Sequence, residues 1–403
     1  MIMEQAQKGK WELVTLGDIT DIASGAGFPT RFQGNESGDY PFYKVSDMNL
    51  AGNETWMKYH NNAIDEGVRC EIKAKAYPKG TIIFPKIGAA IATNKKRILS
   101  RDSCFDNNVI GILPSEYLDT GYLYHLLLCK DLSDFANTGN PPSIRKTTLE
   151  QWKVPLPALE EQKRIAKILN AADALRAKRR ESLAQLDALL QSTFLDLFGD
   201  PVENPRRWDE VPLEEIVSDS KIGLVRSSKE FGWDYTLPYV RMDAVSKDGK
   251  FLADKVQFTE ASQKEIESSS LRPGDFLFNT RNSKELVGKS CIYTGPEGWL
   301  FNNNLMRIRF IDSVCPEVVA AQFHFSRVSR ELDQRKSGTT NVFAVYWKNL
   351  KSLPVLVPPK ELQIKYAAIV RSVNKQSDQL SRHLGELDNL FISLQQKAFS
   401  GEL

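Results

Sequence analysis

Short apolar runs separated by Gly, Asn and Pro turns fill residues 11–150, and the same texture returns over residues 208–352. Thr81-Ile82-Ile83-Phe84, Val109-Ile110-Gly111-Ile112-Leu113, Asp275-Phe276-Leu277-Phe278 and Met306-Arg307-Ile308-Arg309-Phe310 have the length and the β-branched and aromatic content of strands. An apolar segment of helical character follows each set, Tyr117 to Leu132 in the first and Val318 to Leu332 in the second. The pattern predicts a mixed α/β globule in each region.

After a Pro-rich joint the pattern changes and stays helical for about forty residues, twice. Ile165, Ile168, Leu169, Ala172, Leu175, Leu183, Leu186, Leu190 and Leu197 recur at three-and-four spacing, and Ile369, Val373, Leu380, Leu384, Leu387, Phe391, Leu394 and Ala398 repeat the theme. Pro157 and Pro358 or Pro359 suit a first turn, Glu160 and Glu161 favour the positive end, and Gly199 before Pro201, or Gly401, supplies a stop. At roughly 1.5 Å per residue each helix is about 60 Å long. Helices of that length with an apolar seam and charged flanks such as Arg176, Lys178, Arg179, Arg180 and Glu181 need a partner to cover the seam. The expectation is that they pair antiparallel, with an approximate two-fold axis across the middle.

The two halves are copies. Trp11 to Ile19 is echoed by Trp208 to Ile216, and Tyr40-Pro41-Phe42-Tyr43-Lys44-Val45 by Leu237-Pro238-Tyr239-Val240-Arg241-Met242. Gly80 to Phe84 then matches Gly274 to Phe278, Phe105-Asp106-Asn107-Asn108 matches Phe301-Asn302-Asn303-Asn304, and Val154 to Pro157 matches Val355 to Pro358. A period near half the chain is too long for a solenoid, so the sequence is a duplicated two-part unit. The expected boundaries are a globule over 1–153, a long helix over 154–200, a second globule over 201–354 and a second helix over 355–403.

Composition changes the picture in two places. The opening residues MIMEQAQKGKWELV lack the apolar core of a secretory signal and no eighteen apolar residues run together, which points to the cytoplasm and away from a membrane. Five scattered cysteines without a Cys-x-x-Cys pair read as buried thiols, and four dispersed histidines offer no metal motif. Net charge is only +2, yet Val68 to Arg101 holds nine cations against the single acid Glu71. Such an excess reads either as a polyanion-binding surface or as a solvated face balanced elsewhere.

Val154-Pro-Leu-Pro-Ala-Leu-Glu-Glu-Gln-Lys-Arg-Ile-Ala-Lys-Ile-Leu169 resembles the start of a helix in the specificity subunits of type I restriction-modification systems, and Gln395-Gln-Lys-Ala-Phe-Ser-Gly-Glu-Leu403 is similar to their carboxyl terminus. The second copy keeps Gln363 but lacks the paired acids. The resemblance implies two target recognition domains of mixed α/β fold, separated by two long helices that form an antiparallel coiled coil with internal pseudo-two-fold symmetry. It implies a non-catalytic protein without a cofactor, each domain reading one part of a bipartite double-stranded DNA site. The helices would hold the two readers at a fixed separation and dock two methyltransferase subunits and, through them, the restriction subunits.

Two motifs suggest chemistry of the chain's own. Gly139-Asn-Pro-Pro-Ser143 begins like the active-site motif of DNA amino-methyltransferases, but Ser143 stands where an aromatic must stack on the flipped base; Arg145 and Lys146 beside it instead suggest a DNA-facing loop, and Gly338-Thr-Thr-Asn341 stands in the corresponding place. Ser283 to Ser290 ends like a phosphate-binding loop without its first glycine, leaving Lys289 to meet a DNA phosphate or solvent. Further DNA-reading candidates come from matched loops: Lys44 with Arg241, Lys86 with Arg281, and Asn107 with Asn303. Arg pairs with guanine and Asn with adenine, whereas Lys mostly anchors phosphate. A coiled-coil adaptor that binds protein only, and a methyltransferase or nuclease with a hidden site, are the competing readings.

Overall fold

The computed structural model describes residues 11–339 and 342–403, so the opening ten residues and Thr340 and Asn341 of the second variable loop lie outside it. The chain forms two compact units, one of residues 1–180 with 382–403, the other of residues 181–381. Each unit therefore owns a globule, the first part of the long helix that follows it and the last part of the other long helix. The two helices run over Leu159–Phe198 and Lys360–Ser400, and Gly199 and Gly401, at φ +79° and +81°, end them.

In the first unit Leu13–Thr15 pairs antiparallel with Lys153–Pro155, closing the globule at the helix joint. A five-stranded sheet runs in the order Ile22–Ser24, Val109–Ile112, Ile82–Pro85, Arg97–Leu99 and Trp56–Met57, beside a three-stranded sheet of Ala63–Ile64, Tyr40–Tyr43 and Cys104–Phe105. The second unit repeats the plan. Asp209–Pro212 pairs with Pro354–Val357, and four-stranded sheets order Val217–Ile222, Leu305–Phe310, Phe276–Asn279, Ser290–Ile292 and Phe231–Gly232, Gln257–Thr259, Leu237–Val240, Leu300–Phe301. The helical segment of the first globule is Thr120–Leu128, started by the Asp119 carboxylate accepting from the Tyr122 N–H at 2.9 Å. That of the second is broken into Pro316–Gln322 and Ser326–Arg335, with the Phe325 ring between them packed 4.8 Å from Phe194 on the long helix.

The seam is buried within each unit. Ile165, Ala166, Leu169 and Ala172 join Phe391, Ala398 and Phe399 in the core of the first globule, and Phe194 and Phe198 join Val318, Tyr366 and Ala367 in the second unit. Within each unit the two helix segments run antiparallel. Leu175 is not in the seam: it is 57% exposed. Arg176 takes its place, with its guanidinium 4.3 Å from the Phe391 ring centre and paired to Asp388 at 2.6 Å and Asp173 at 2.7 Å. Phe194, unremarked in the spacing, is nearly fully buried.

The feature that fixes each helix to its globule is a glutamine. Gln162 and Gln363 are each 1% exposed. Gln162 accepts from the Asp119 N–H at 2.9 Å and donates to the Tyr117 and Pro157 carbonyls, both at 2.9 Å. Gln363 accepts from the Cys315 N–H at 2.8 Å and donates to the Pro358 and Ser313 carbonyls at 2.7 and 3.3 Å. One amide thus satisfies three backbone groups, and a buried one left unpaired would cost about 1–3 kcal/mol. All five cysteines are free thiols; Cys104, Cys291 and Cys315 are buried and Cys129 half-buried, but Cys70 is exposed, against the sequence reading. No helix among the described residues is long and apolar enough to cross a membrane.

Gln162→Ala is expected to lose about 2–4 kcal/mol of local stability. Amide hydrogen exchange should rise over residues 117–125 and stay unchanged over 313–322, with Gln363→Ala giving the converse; equal loosening of both segments in either variant would contradict the latch.

Candidate nucleic-acid interface

In both units a run of backbone hydrogen bonds gathers distant loops along one edge. In the first, the Asp106 N–H donates to the Tyr43 carbonyl at 3.0 Å, which sets the Asn-rich turn beside Lys44. The Lys86 N–H donates to the Asn108 carbonyl at 2.8 Å, and the Lys86 carbonyl accepts from the Ile144 N–H at 2.9 Å, which brings Arg145 and Lys146 alongside. In the second unit Asn302 donates to the Val240 carbonyl at 2.9 Å, Thr280 to the Asn304 carbonyl at 2.8 Å and Val345 to the Thr280 carbonyl at 2.9 Å. The turns are built alike: Asp106 and Asn302 each accept from the backbone N–H two residues on, at 3.0 and 2.8 Å. A glycine directly after the strand beside each turn lets the backbones meet. A Cβ on Gly25 would stand 2.0 Å from the Asp106 carbonyl oxygen, and one on Gly223 would stand 2.2 Å from that of Phe301.

This register corrects one pairing. Lys86 corresponds to Thr280, and Arg281 to Ile87, because Pro85 pairs with Val109 as Asn279 pairs with Leu305. Arg145, which caps Lys146–Glu150, corresponds to Tyr346, which caps Trp347–Leu350. The first edge is cationic, at Lys86 and Arg145, where the second has Thr280 and Tyr346, and the second is cationic, at Arg281, where the first has Ile87.

The candidates differ in how free they are. Asn107, Arg145, Lys146 and Arg281 are exposed, and Lys146 pairs only with Glu150 on its own helix at 3.4 Å. Lys86 reaches Ser24 Oγ at 3.3 Å. Lys44 is half-buried and donates to Gln33 Oε1 at 2.9 Å, while Asn303 accepts from Asn302 Nδ2 at 3.5 Å. Burial raises the Asp106 carboxyl above its ordinary value, against hydrogen bonds from Asn108 and the nearby Lys44 charge. Arg241 donates to Gln257 Oε1 at 2.8 Å and lies 4.8 Å from the Phe231 ring centre.

Lys289 has a different task from the one its position suggests. Its ammonium donates to the Val245 and Met242 carbonyls at 2.5 and 3.1 Å, and burial pushes its pKa below the usual lysine range. It braces the turn that follows Arg241. The loop before it cannot cradle phosphate either, since the N–H groups of Leu286, Val287, Gly288 and Lys289 all donate to carbonyls of the chain. The cationic stretch from Val68 to Arg101 is likewise not one surface. Lys96 is buried, donates to Asn94 Oδ1 and the Lys130 carbonyl, both at 2.6 Å, and has its pKa lowered to about 8 by burial. Arg97 donates to the Lys96 and Met48 carbonyls at 2.8 and 3.1 Å, and Arg69 grips Glu66 on its own helix.

The Gly139–Ser143 loop is sewn into the edge. Asn137 Oδ1 accepts from the Gly139 and Ser143 N–H groups at 3.2 and 3.0 Å, and the Pro142 carbonyl accepts from Gly88 at 2.8 Å. These bonds close the segment on itself two residues before Arg145. Among the described residues no group of three or more His, Cys, Asp or Glu could hold a metal ion. Sequence spacing did not single out Tyr346, 47% exposed on the second edge, because its partner in the first copy is an arginine.

Comparison with known proteins follows the same lines. The family described as "Type I restriction modification DNA specificity domain" matches residues 8–186 and again 205–387. The EcoKI type I restriction enzyme specificity subunit of Escherichia coli K12 is 24% identical over 317 residues, covering 73% of this chain and 68% of that protein. The MjaIX specificity subunit of Methanocaldococcus jannaschii is 25% identical over 261 residues, covering 59% of this chain and 58% of the relative. The crystal structure of a type I restriction-modification S subunit from M. genitalium has the same fold, with a TM-score of 0.61 over 97% of this chain and 96% of that one at 15% identity.

If the exposed cations of the first edge meet phosphate, Arg145→Ala and Lys146→Ala should each weaken binding to all DNA sequences and reduce the salt slope by about one unit. Lys289→Ala should lower thermal stability and leave that slope unchanged, as titrations of affinity against salt will show.

Proposed function

The chain belongs to the type I restriction-modification DNA specificity family, and on that premise we propose that it is the non-catalytic, sequence-reading subunit of a type I restriction-modification complex. Each unit recognises one part of a bipartite double-stranded DNA target. The observation that carries this reading is the pair of matched edges: one scheme of backbone hydrogen bonds presents Lys44, Lys86, Asn107, Arg145 and Lys146 in one unit and Arg241, Arg281 and Asn303 in the other. A shared scaffold with unlike tips suits two readers of unlike half-sites.

The long helices would dock the methyltransferase subunits and, through them, the restriction subunits. Support comes from apolar side chains the seam does not use. Leu189 and Leu390 stand at equivalent places in the repeat, each 27 residues beyond its latch glutamine, and are 47% and 50% exposed. Two equivalent sites would bind two methyltransferase subunits, which bring the cofactor and the chemistry.

Arg281→Ala should weaken specific binding by about 1–3 kcal/mol and relax preference at one position of one half-site only. Methylation mapping in cells that express the variant with its methyltransferase subunit checks this, and altered bases in both half-sites would contradict it. Leu189→Asp and Leu390→Asp should each cost the complex one methyltransferase subunit; native mass measurement of the co-expressed complexes with both subunits retained would contradict the docking sites.

A further inference from the structure

The second edge carries a β-ribbon that the first lacks. Arg281–Asn282, Val342–Ala344 and Ser337–Thr339 form a three-stranded antiparallel sheet in which Arg281 and Ser337 both lie opposite Ala344, and Thr339 lies opposite Val342. In the first unit the corresponding segments meet only at isolated bridges, Ile87 with Ser143 and Ala136 with Ile144. Close approach of Ser337–Thr339 to the middle strand depends on Gly338, whose Cβ would stand 2.3 Å from the Val342 carbonyl oxygen.

Side chains alternate along strands, so Arg281, Ala344 and Val342 share one face of the ribbon and Asn282 and Phe343 the other. The second face is occupied: Phe343 packs against the globule's core with the Lys284 ammonium 5.9 Å from its ring centre, and Asn282 donates to Asn279 Oδ1 at 3.0 Å. On the first face Ala344 is buried, but Arg281 is exposed and Val342 is 54% exposed. The two are diagonal cross-strand neighbours, about 7–8 Å apart at the backbone, within reach of adjacent base pairs.

A β-ribbon fits the major groove, where guanine offers N7 and O6 to a guanidinium and thymine offers a C5-methyl group to an aliphatic side chain. Arg281 shares the open face with the valine and gives it positive charge, which suits a polyanion and not an apolar protein surface. Resting on the reading that this edge meets duplex DNA, we propose that Val342 recognises the C5-methyl group of a thymine next to the base read by Arg281. The two units then read by different means, the first through cations and a turn asparagine, the second through a ribbon that pairs a guanidinium with an isopropyl group.

The test uses the full chain assembled with its methyltransferase subunits and a duplex carrying the target found by methylation mapping. Each thymine is replaced in turn by uracil, which removes only the methyl group. Within two base pairs of the position relaxed by Arg281→Ala, one such replacement should weaken binding about threefold to tenfold. The Val342→Ala complex should bind the thymine and uracil duplexes equally while keeping its preference at the Arg281 position. No thymine in that window, no uracil-sensitive one, or full thymine preference retained by Val342→Ala overturns the role of Val342 and leaves the Arg281 reading standing. Arg281→Ala that changes no base preference overturns both. The uracil arm needs no variant, so a misfolded Val342→Ala protein does not spare the proposal.

Discussion

Two buried side-chain amides hold the architecture together. A forty-residue helix is unstable in water unless its apolar stripe is covered, and covering it requires that the helix leave its globule at one angle and no other. Gln162 and Gln363 impose that angle by taking one N–H and two carbonyls of the adjoining loops into a single planar group. With the first turn fixed, Ile165 and Leu169, or Tyr366 and Ala367, fall into apolar cores. Burial of a side chain such as Ile165 or Leu169 contributes about 1.5–3 kcal/mol. The latch is polar yet effective because both of its N–H groups and its oxygen are hydrogen-bonded, the condition under which a buried polar network specifies structure instead of weakening it.

The same economy governs the two edges. Asn-rich turns at 106–109 and 302–305 spend their first side chain on their own backbone, and the carbonyls they leave outward accept from the strands beside them. Strands and turns are thereby held by main-chain bonds, which are indifferent to sequence. Exposed tips such as Asn107, Arg145, Arg281 and Tyr346 carry none of that burden and are free to differ between the copies. A scaffold whose bonds are sequence-blind and whose tips are sequence-free is what a reader of variable targets needs.

Much of this was legible in the residues. Repeated landmarks from Trp11 and Trp208 onward gave the duplication, and the three-and-four spacing of the second helix picked out residues that are all buried or half-buried. What escaped has physical causes. Leu175 fits the period as well as its neighbours do, but the seam turns to Arg176, whose long side chain covers Phe391 while its head pairs with Asp388. Lys96 and Lys289 look like anchors in a cationic sequence; burial, which spacing does not encode, turns them towards backbone carbonyls. Pairing Lys86 with Arg281 follows charge and not position: the landmark Phe84 with Phe278 already places Thr280 opposite Lys86, and the strand register agrees. The ribbon was hidden because Gly338-Thr-Thr-Asn341 reads as a loop, although its flanks pair as strands.

The central claim is that equivalent edges of the two units meet different halves of one DNA target, and site-directed crosslinking tests it most directly. A photoreactive residue placed at Asn107 or at Asn303, in the complete chain with its methyltransferase subunits, reports which base each turn touches on the methylated sequence. The account predicts a single crosslinked region for each, in opposite half-sites. Crosslinks from both turns in the same half-site, or from neither on a target that the complex still methylates, would contradict it.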